Sequence, residues 1–525
     1  MMTQLVVQPD YRALAPLIIL FAAAAVGVLV EGIIKKGLRD EAQLIVSGIG
    51  LLASLAFTIQ NWNQDRLGVH AEGSLTMDGP TYFIWGLLLV ATILTLLLVS
   101  ERKLNSGALN FTPYAASVPG SPLEAKAFQS RTEHTEIYPL VLFSTFGMMM
   151  FASATDWITM FVALEIFSLP LYLLCGLARR RRLLSQEAAL KYFMLGSLAS
   201  AIFLYGTALL YGYSGSLSIR MLAQRIQADA EGGNSLLVAG VVLVLVGLLF
   251  KIGVVPFHSW TPDVYVGAPT PITAYMAIAT KAAAVIALMR VLYVGLAPLQ
   301  WTWQPVVAGL AVITMFVGAI IGLTQTDVKR LLAYSSIAHA GFILVGIAGA
   351  VTAATGNHAL AGSTSSILFY LSAYGLATLG AFAIVTMVRR AGGEATQLAA
   401  WSGLGRQHPV LGALMTLFLL SFAGIPLTAG FIGKLEVFLA AWAGGYAWLV
   451  FAAVIASLVA AYIYLRFIMV MFFRDAGEAT EGVQVEQASW MTWTVIILCA
   501  VGTLVLGLWS SPLGDLAIRA SEFLR

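Results

Sequence analysis

Five ionisable side chains interrupt long apolar stretches of this chain: Glu165, Lys251, Lys281, His339 and Lys434. A charge at the centre of a bilayer-crossing helix costs about 2.5–3.5 kcal/mol or more, so such groups are rare there and mark ion pathways. Lys281, in AYMAIATKAAAVIALM, has only small apolar neighbours and no acid on its own stretch. Desolvation disfavours the ammonium form of an unpartnered lysine, which puts it within reach of proton exchange. Snorkelling to the interface is the alternative for such a side chain.

Glu165 lies in FVALEIFSLP and would be protonated alone, unless a nearby cation favours its charged form. Its expected partner is Lys251 in LLFKIGVVPFHSW, either as part of a proton path or as a purely structural ion pair. Lys434, in AGIPLTAGFIGKLEVF, either marks the outer end of such a path or is held by backbone carbonyls freed at Pro426. Glu436, two residues on, points to another side of a helix and need not neutralise it. His339, in AYSSIAHAGFILVG, has a side chain that titrates near neutrality and relays protons through two nitrogens, or else is a hydrogen-bonded core residue. Ser335, Ser336 and Tyr334 beside it are suited to ordering water. Lys191, in EAALKYFMLGS, either modulates Glu165 and Lys251 or snorkels, and His258 and Asp263 in PFHSWTPDVYVGAPTP either feed protons inward or order a loop.

The elements that must position these groups are membrane helices. Only 10% of the 525 residues are charged and 59% are hydrophobic, whereas an ordinary globular domain is about 25% charged. Mean hydropathy is +0.86. A helix needs about 17–25 mainly apolar residues to cross a hydrocarbon core roughly 30 Å thick. Fourteen such runs can be drawn, among them the first at 13–34, the fifth at 154–177, the seventh at 234–256, the eighth at 265–292, the tenth at 329–350, the twelfth at 408–440 and the last at 488–510. They are too long and too uniformly apolar for the alternating strands of an outer-membrane barrel. The expected fold is an all-α polytopic membrane protein of 14 transmembrane helices.

Lys and Arg concentrate in loops on the cytoplasmic side of a membrane. The run Arg179, Arg180, Arg181, Arg182 sets that side, and threading outward puts Lys35, Lys36, Arg102, Lys103, Arg131, Lys329, Arg330, Arg389 and Arg390 with it. Arg12, Arg66, Arg220, Arg290, Arg519 and Arg525 fall opposite, so both termini are expected on the outer, periplasmic side of a bacterial plasma membrane. Met1 to Leu14 contains Asp10 and lacks a basic start, so a cleaved signal peptide is not expected.

The chain also resembles itself. Thr155-Asp156 and Thr326-Asp327, and Gly253-x-x-Pro256 and Gly424-x-Pro426, recur at nearly one offset of about 170 residues. An odd number of spans separates the copies, so the second enters from the opposite face, the inverted repeat of many secondary transporters. The expected units are three helices and a long inner loop over 1–134, a first five-helix repeat over 135–292 (spans 4–8), a second over 303–473 (spans 9–13) and a loop and final helix over 474–525. Helices seven and twelve should be broken at Gly253/Pro256 and Gly424/Pro426, because proline removes an amide donor. Freed backbone groups need protein or water partners in hydrocarbon, so hydration is expected near Lys251 and Lys434. The loop from Glu101 to Glu136, with Pro113, Pro119 and Pro122, reads as irregular.

No phosphate-binding loop, no dinucleotide fingerprint and no Cys/His cluster with metal-ligand spacing occurs. Cys175 and Cys499 lie far apart in separate apolar runs. No cofactor or metal site is expected on this chain, no nucleic-acid patch stands out, and the driving force must come from an ion gradient or a partner.

KIGVVPFHSWTPDVYVGAPTPITAYMAIATK, SFAGIPLTAGFIGK and FVALEIFSLPLYLL resemble the N subunits of bacterial respiratory complex I, within the antiporter-like family shared with Mrp-type antiporters. The resemblance implies a subunit of a proton-pumping NADH:quinone oxidoreductase whose NADH, FMN, iron–sulfur clusters and quinone reside on other subunits. It implies a row from Glu165 and Lys251 through Lys281 to Lys434, with lysine at the last position fitting subunit N. The implied partners are the antiporter-like subunit M, the small membrane subunits K and J, the lateral helix of subunit L, and lipids. An Mrp-type cation/proton antiporter subunit is the alternative.

Overall fold

A computed structural model describes residues 10–105, 108–112, 121–123, 126, 135–229, 234–350, 357–391 and 393–524. Pro113, Pro119, Arg131, Arg525, most of the Glu101–Glu136 loop and residues 1–9 of the start lie outside the described residues.

The chain opens with a helical hairpin, α1 (Tyr11–Ile33) and α2 (Arg39–Asn63). Asn61 and Ser54 donate side-chain hydrogen bonds from α2 to the Arg12 and Pro16 carbonyls of α1. A two-stranded antiparallel hairpin, β1 (Gly68–His70) and β2 (Leu75–Met77), leads into α3 (Gly79–Val99). Then come α4 (Ile137–Ser153), α5 (Trp157–Cys175), α6 (Arg182–Ser214), the short α7 (Ile219–Ala228), α8 (Ser235–Ile252), α9 (Trp260–Gly267) and α10 (Thr270–Arg290). The second half holds α11 (Gln300–Thr324), α12 (Val328–Ala348), α13 (Asn357–Met387), α14 (Pro409–Ala423), α15 (Ala429–Ala443), α16 (Ala447–Phe473), α17 (Trp490–Leu508) and the short α18 (Ser511–Arg519). Twelve helical segments are long and apolar enough to cross a membrane, and α4 and α14 are shorter apolar helices. This is a polytopic all-α membrane protein.

Polar connections that read as plain loops carry small sheets. Asn61 to Pro80 contains the β1–β2 hairpin, and Asp475 to Gln487 contains β5 (Val483–Val485), which pairs antiparallel with β3 (Val388–Arg390), itself paired with β4 (Gly393–Glu394). The short α18 was not expected after the last run. Arg179–Arg182 and the β3–β5 sheet lie at one end of the helices, hereafter the basic face. The β1–β2 hairpin lies at the opposite face, where Thr155 N–H donates to Ser74 O at 2.9 Å.

Helix starts are set by short acids. Asp156 caps α5 by accepting from Thr159 N–H at 2.8 Å, and Asp327 caps α12 by accepting from Arg330 N–H at 3.1 Å. Each capping residue also forms an isolated antiparallel bridge, Asp156 with Ser218 and Asp327 with Gln397.

The two helix breaks are built alike. Gly253 ends α8 at φ +83° and Gly424 ends α14 at φ +79°. At the first, the amides of Gly253 and Val254 both donate to Leu249 O; at the second, those of Gly424 and Ile425 both donate to Leu420 O. Glycine suits this left-handed C-terminal turn because no Cβ is present. At Gly424 a Cβ would also meet Lys434 Cδ at 2.8 Å.

Helix α10 buries all of its residues and α12 all but Arg330, so these two form the core. Arg290, expected on an outer loop, is instead fully buried at the end of α10 and paired to Asp78 at 2.8 Å. A buried guanidinium next to a carboxylate replaces its lost hydration by paired hydrogen bonds.

Candidate functional site

Lys251, one residue before the end of α8, places its ammonium against α5. It donates to Ser168 Oγ at 2.8 Å and to Tyr172 Oη at 3.5 Å. The rings of Phe167, Tyr172 and Tyr192 lie 5.3–5.4 Å from its nitrogen, in the range where an aromatic face attracts a cation. Glu165 sits one turn before Ser168 on the same helix, and among the described residues no ion pair joins it to Lys251. The expected direct contact is not made; Ser168 holds the lysine instead, and Glu165 Oε1 has no hydrogen-bond partner among the described residues.

Lys281 lies mid-way along α10, fully inside the core, which rules out snorkelling for it. Its ammonium donates to Ser336 O at 2.5 Å and Ser336 Oγ at 2.6 Å on α12, and the Tyr374 ring lies 5.2 Å away. His339 follows Ser336 by one turn. Its Nδ1 is hydrogen-bonded to Tyr370 Oη at 2.6 Å and its Nε2 to Tyr464 Oη at 3.4 Å, and Tyr464 in turn meets Ser335 Oγ at 2.5 Å. Tyr334 instead packs with Val255 and Ile337. Tyr374 touches both stations, with its ring centroid 4.7 Å from that of His339. A small cavity lined by His339, Tyr370, Tyr374, Ser421 and Gly430 adjoins the ring.

Lys434, buried on α15, donates to Ala423 O at 3.0 Å and Ser457 Oγ at 2.8 Å. Ala423 is the last residue of α14, so the carbonyl is one that the break leaves free. Phe342 bridges the last step, 4.7 Å from the Lys434 nitrogen and 5.9 Å from the His339 ring. Glu436 turns away from Lys434 and is only partly buried. At the first break the Phe250 carbonyl accepts from Gly253 N–H at 3.1 Å and from the Trp260 indole at 3.0 Å, and Val255 N–H donates to Thr314 Oγ1 at 3.2 Å. Protein groups therefore take several of the partners for which water was expected beside Pro256.

All three lysines share one design. Each donates to a serine hydroxyl of a neighbouring helix, each lies about 5 Å from an aromatic face, and none forms an ion pair among the described residues. Hydroxyls of this kind donate and accept, so they stabilise an ammonium without fixing its proton as a carboxylate would.

The region holding all five charges and both breaks is also where known proteins match. A family model described as NADH:quinone oxidoreductase/Mrp antiporter, transmembrane, covers residues 154–460. The chain belongs to this family. It is 56% identical to NADH-quinone oxidoreductase subunit N of Cutibacterium acnes over 98% of this chain and 96% of that protein, and 48% identical to subunit N of a Nocardioides species over 98% of each. Among solved structures, a chain of respiratory complex I from Thermus thermophilus superposes with a TM-score of 0.74 at 32% identity, covering 96% of this chain and 99% of that one. A chain of the Mrp complex from a Dietzia species gives 0.77 at 20% identity, covering 98% and 97%, which is a likeness of fold. The resemblance read from the HSWTPDVYVGAP segment is borne out.

Two of the remaining candidates in this antiporter-family member, Lys191 and Asp263, meet in a second cluster. Lys191 bonds Asp263 and Glu187, both at 2.7 Å, and Arg330 reaches Asp263 at 3.4 Å, so Asp263 joins α6, α9 and α12. Asp263 is helical, in α9, where a loop was expected. His258 lies in the turn between α8 and α9 with its Nδ1 unpartnered. Among the described residues, no group of three His, Cys, Asp or Glu is arranged to hold a metal ion.

Sequence reading singled out Ser335 and Ser336 only as groups to order water beside His339, and it missed Ser168, Ser457, Tyr172, Tyr370, Tyr374 and Tyr464. Ser168, Ser336 and Ser457 are visible only as hydroxyls punctuating apolar runs, a common feature of membrane helices that names no partner. It also missed Lys329, buried and donating to Ala268 O at 2.7 Å, and Glu101, which accepts from Lys103 N–H, Ser489 N–H and Oγ, and Thr492 Oγ1.

Proposed function

We propose that this chain is a proton-translocating membrane subunit, subunit N, of a bacterial NADH:quinone oxidoreductase, moving protons along the row Glu165, Lys251, Lys281, His339, Lys434. The single observation that carries the reading is the run of three ion-pair-free lysines, each cradled by serine and aromatic side chains, with His339 between the last two. NADH, FMN, iron–sulfur clusters and quinone belong to other subunits, and redox chemistry there shifts the charge balance at Glu165. As the influence of Glu165 on Lys251 changes, a proton held by Lys251 passes inward to Lys281. It continues by His339 to Lys434, with repulsion between neighbouring ammonium groups favouring release. Lys191, His258 and Asp263 serve proton uptake from the basic face.

The architecture supporting this reading is fourteen membrane crossings, with α8/α9 and α14/α15 each taken as one interrupted crossing. The matched aspartate caps, bridges and glycine breaks support two inverted five-helix repeats, 135–292 and 303–473, flanked by 1–134 and 474–525. The basic face is then cytoplasmic and both termini are periplasmic. Neighbours in the membrane are subunits M, K and J and the lateral helix of subunit L.

The likeness to an Mrp chain favours a second reading, a cation/proton antiporter subunit. The deciding experiment measures NADH-driven proton pumping in membranes carrying Lys281→Ala. Pumping lost with the complex still assembled supports the first reading, and sodium/proton exchange by the isolated chain in liposomes overturns it.

A further inference from the structure

At the face opposite the arginine cluster, α2, α3, α13, α17 and α18 enclose a cleft of about 470 Å³, within the roughly 300–1,000 Å³ usual for small-molecule sites. Its walls are apolar: Ile59, Phe83, Leu87, Val90, Leu376 and Leu506. Ile59 and Val90 are exposed, so the cleft opens sideways to whatever surrounds the helices in the membrane. It runs along α3 from Tyr82 to Val90, about 12 Å at 1.5 Å per residue. That is close to the roughly 15 Å half-thickness of a hydrocarbon core.

The mouth of the cleft is chemically different from its depth. Arg519, the last residue of α18, is exposed and its guanidinium lies 5.7 Å over the Trp62 indole. It makes no ion pair among the described residues; Asp515, one turn back, does not reach it. Asn63 adds an amide at the same level. Helix α18 turns Leu513 and Leu516 to the cleft with Arg519 at its end, while Asp515 lies off the cleft, as on a helix lying along a membrane interface. Tryptophan is enriched at headgroup level, and arginine near a helix end snorkels to it. A long apolar slot of monolayer depth below an unpaired guanidinium has the polarity of one molecule, a phospholipid.

We propose that this cleft is a binding site for an anionic phospholipid, its phosphate on Arg519 beside Trp62 and one acyl chain between α3 and α13. The guanidinium fork matches phosphate oxygens in pairs, which a cleft lined only by apolar residues would not select.

The test uses the whole complex containing this chain, reconstituted in phosphatidylcholine vesicles doped with a phosphatidylglycerol that carries a diazirine near the end of one acyl chain. Illumination should label peptides covering Tyr82–Val90 of α3. Gly86→Leu places a side chain into the cleft where an added Cβ meets nothing within 4 Å, so it should abolish that label while assembly and NADH-driven pumping stay unchanged. Arg519→Ala should cut labelling several-fold, and Arg519→Lys should restore part of it. The assignment is overturned if wild-type α3 peptides are unlabelled, if Gly86→Leu is labelled equally, or if an added long-chain quinone displaces the label. Labelling by a diazirine phosphatidylcholine that equals the phosphatidylglycerol signal in wild type and Arg519→Ala alike overturns the headgroup contact.

Discussion

Lys251 donates its hydrogen bond to Ser168 at 2.8 Å, one helical turn beyond Glu165 on the same helix. The partner that holds the lysine is thus a hydroxyl, with the acid one turn away. A charge sensed at a distance can be weakened or strengthened by small shifts of Glu165, whereas a closed ion pair must first be broken.

Ser168→Ala tests this arrangement. A hydrogen bond to a charged group contributes about 1.5–3 kcal/mol, so NADH-driven proton pumping should fall by about tenfold or more. Ser168→Thr should retain most of it. Quenching of a pH-sensitive dye in inverted vesicles, normalised to assembled complex, reads the difference; unchanged pumping in Ser168→Ala would show that the hydroxyl is incidental.

Ser336 and Lys281 predict a graded pair. Lys281→Ala removes a station and should abolish pumping, while Ser336→Ala keeps the Ser336 carbonyl that also accepts from Lys281 and should leave a reduced rate. Equal loss in both variants would mean that the hydroxyl, and not the lysine's position, sets the transfer.

At His339 the two tyrosines are unequal. Tyr370 holds Nδ1 at 2.6 Å and Tyr464 holds Nε2 at 3.4 Å, so Tyr370→Phe should slow pumping more than Tyr464→Phe. A neutral hydrogen bond contributes about 0.5–1.5 kcal/mol, which limits the first effect to about tenfold. The reverse order, measured as initial rates in vesicles, would place the working contact on the Tyr464–Ser335 side.

The buried pair Arg290–Asp78 is structural. Asp78→Ala should destabilise the chain by about 3–5 kcal/mol, because it strands a buried guanidinium. It also removes the cap that accepts from Thr81 N–H. Arg290→Met combined with Asp78→Asn should recover much of the assembled complex, as judged by thermal unfolding in detergent. If the double variant is no better than Asp78→Ala, the ion pair itself is required.

Glu101 ties the end of α3 to the start of α17 through Ser489 and Thr492. Glu101→Gln should lower the thermal midpoint of the complex and leave pumping per assembled complex unchanged. A loss of pumping without a loss of stability would move Glu101 into the conduction path.

How much of this was readable in the sequence follows from range. The apolar runs and the breaks at Gly253/Pro256 and Gly424/Pro426 were legible, because hydropathy and proline act over a few residues. The five buried charges were legible too, because each stands out in its own run. What α18 and the β3–β5 sheet do was not, since short polar segments gain structure only from what they pack against.

Partner choice was decided by tertiary structure alone. Lys251 meets a serine 83 positions away, Lys281 one 55 away, and Arg290 an aspartate 212 away. Serine is common in membrane helices and carries no local sign of which face it presents or to whom. The sequence by itself determined that the charges exist and that the helices break beside two of them. Only the packing of α5, α12 and α16 against α8, α10 and α15 decided that hydroxyls and aromatic faces, and not carboxylates, would hold the lysines.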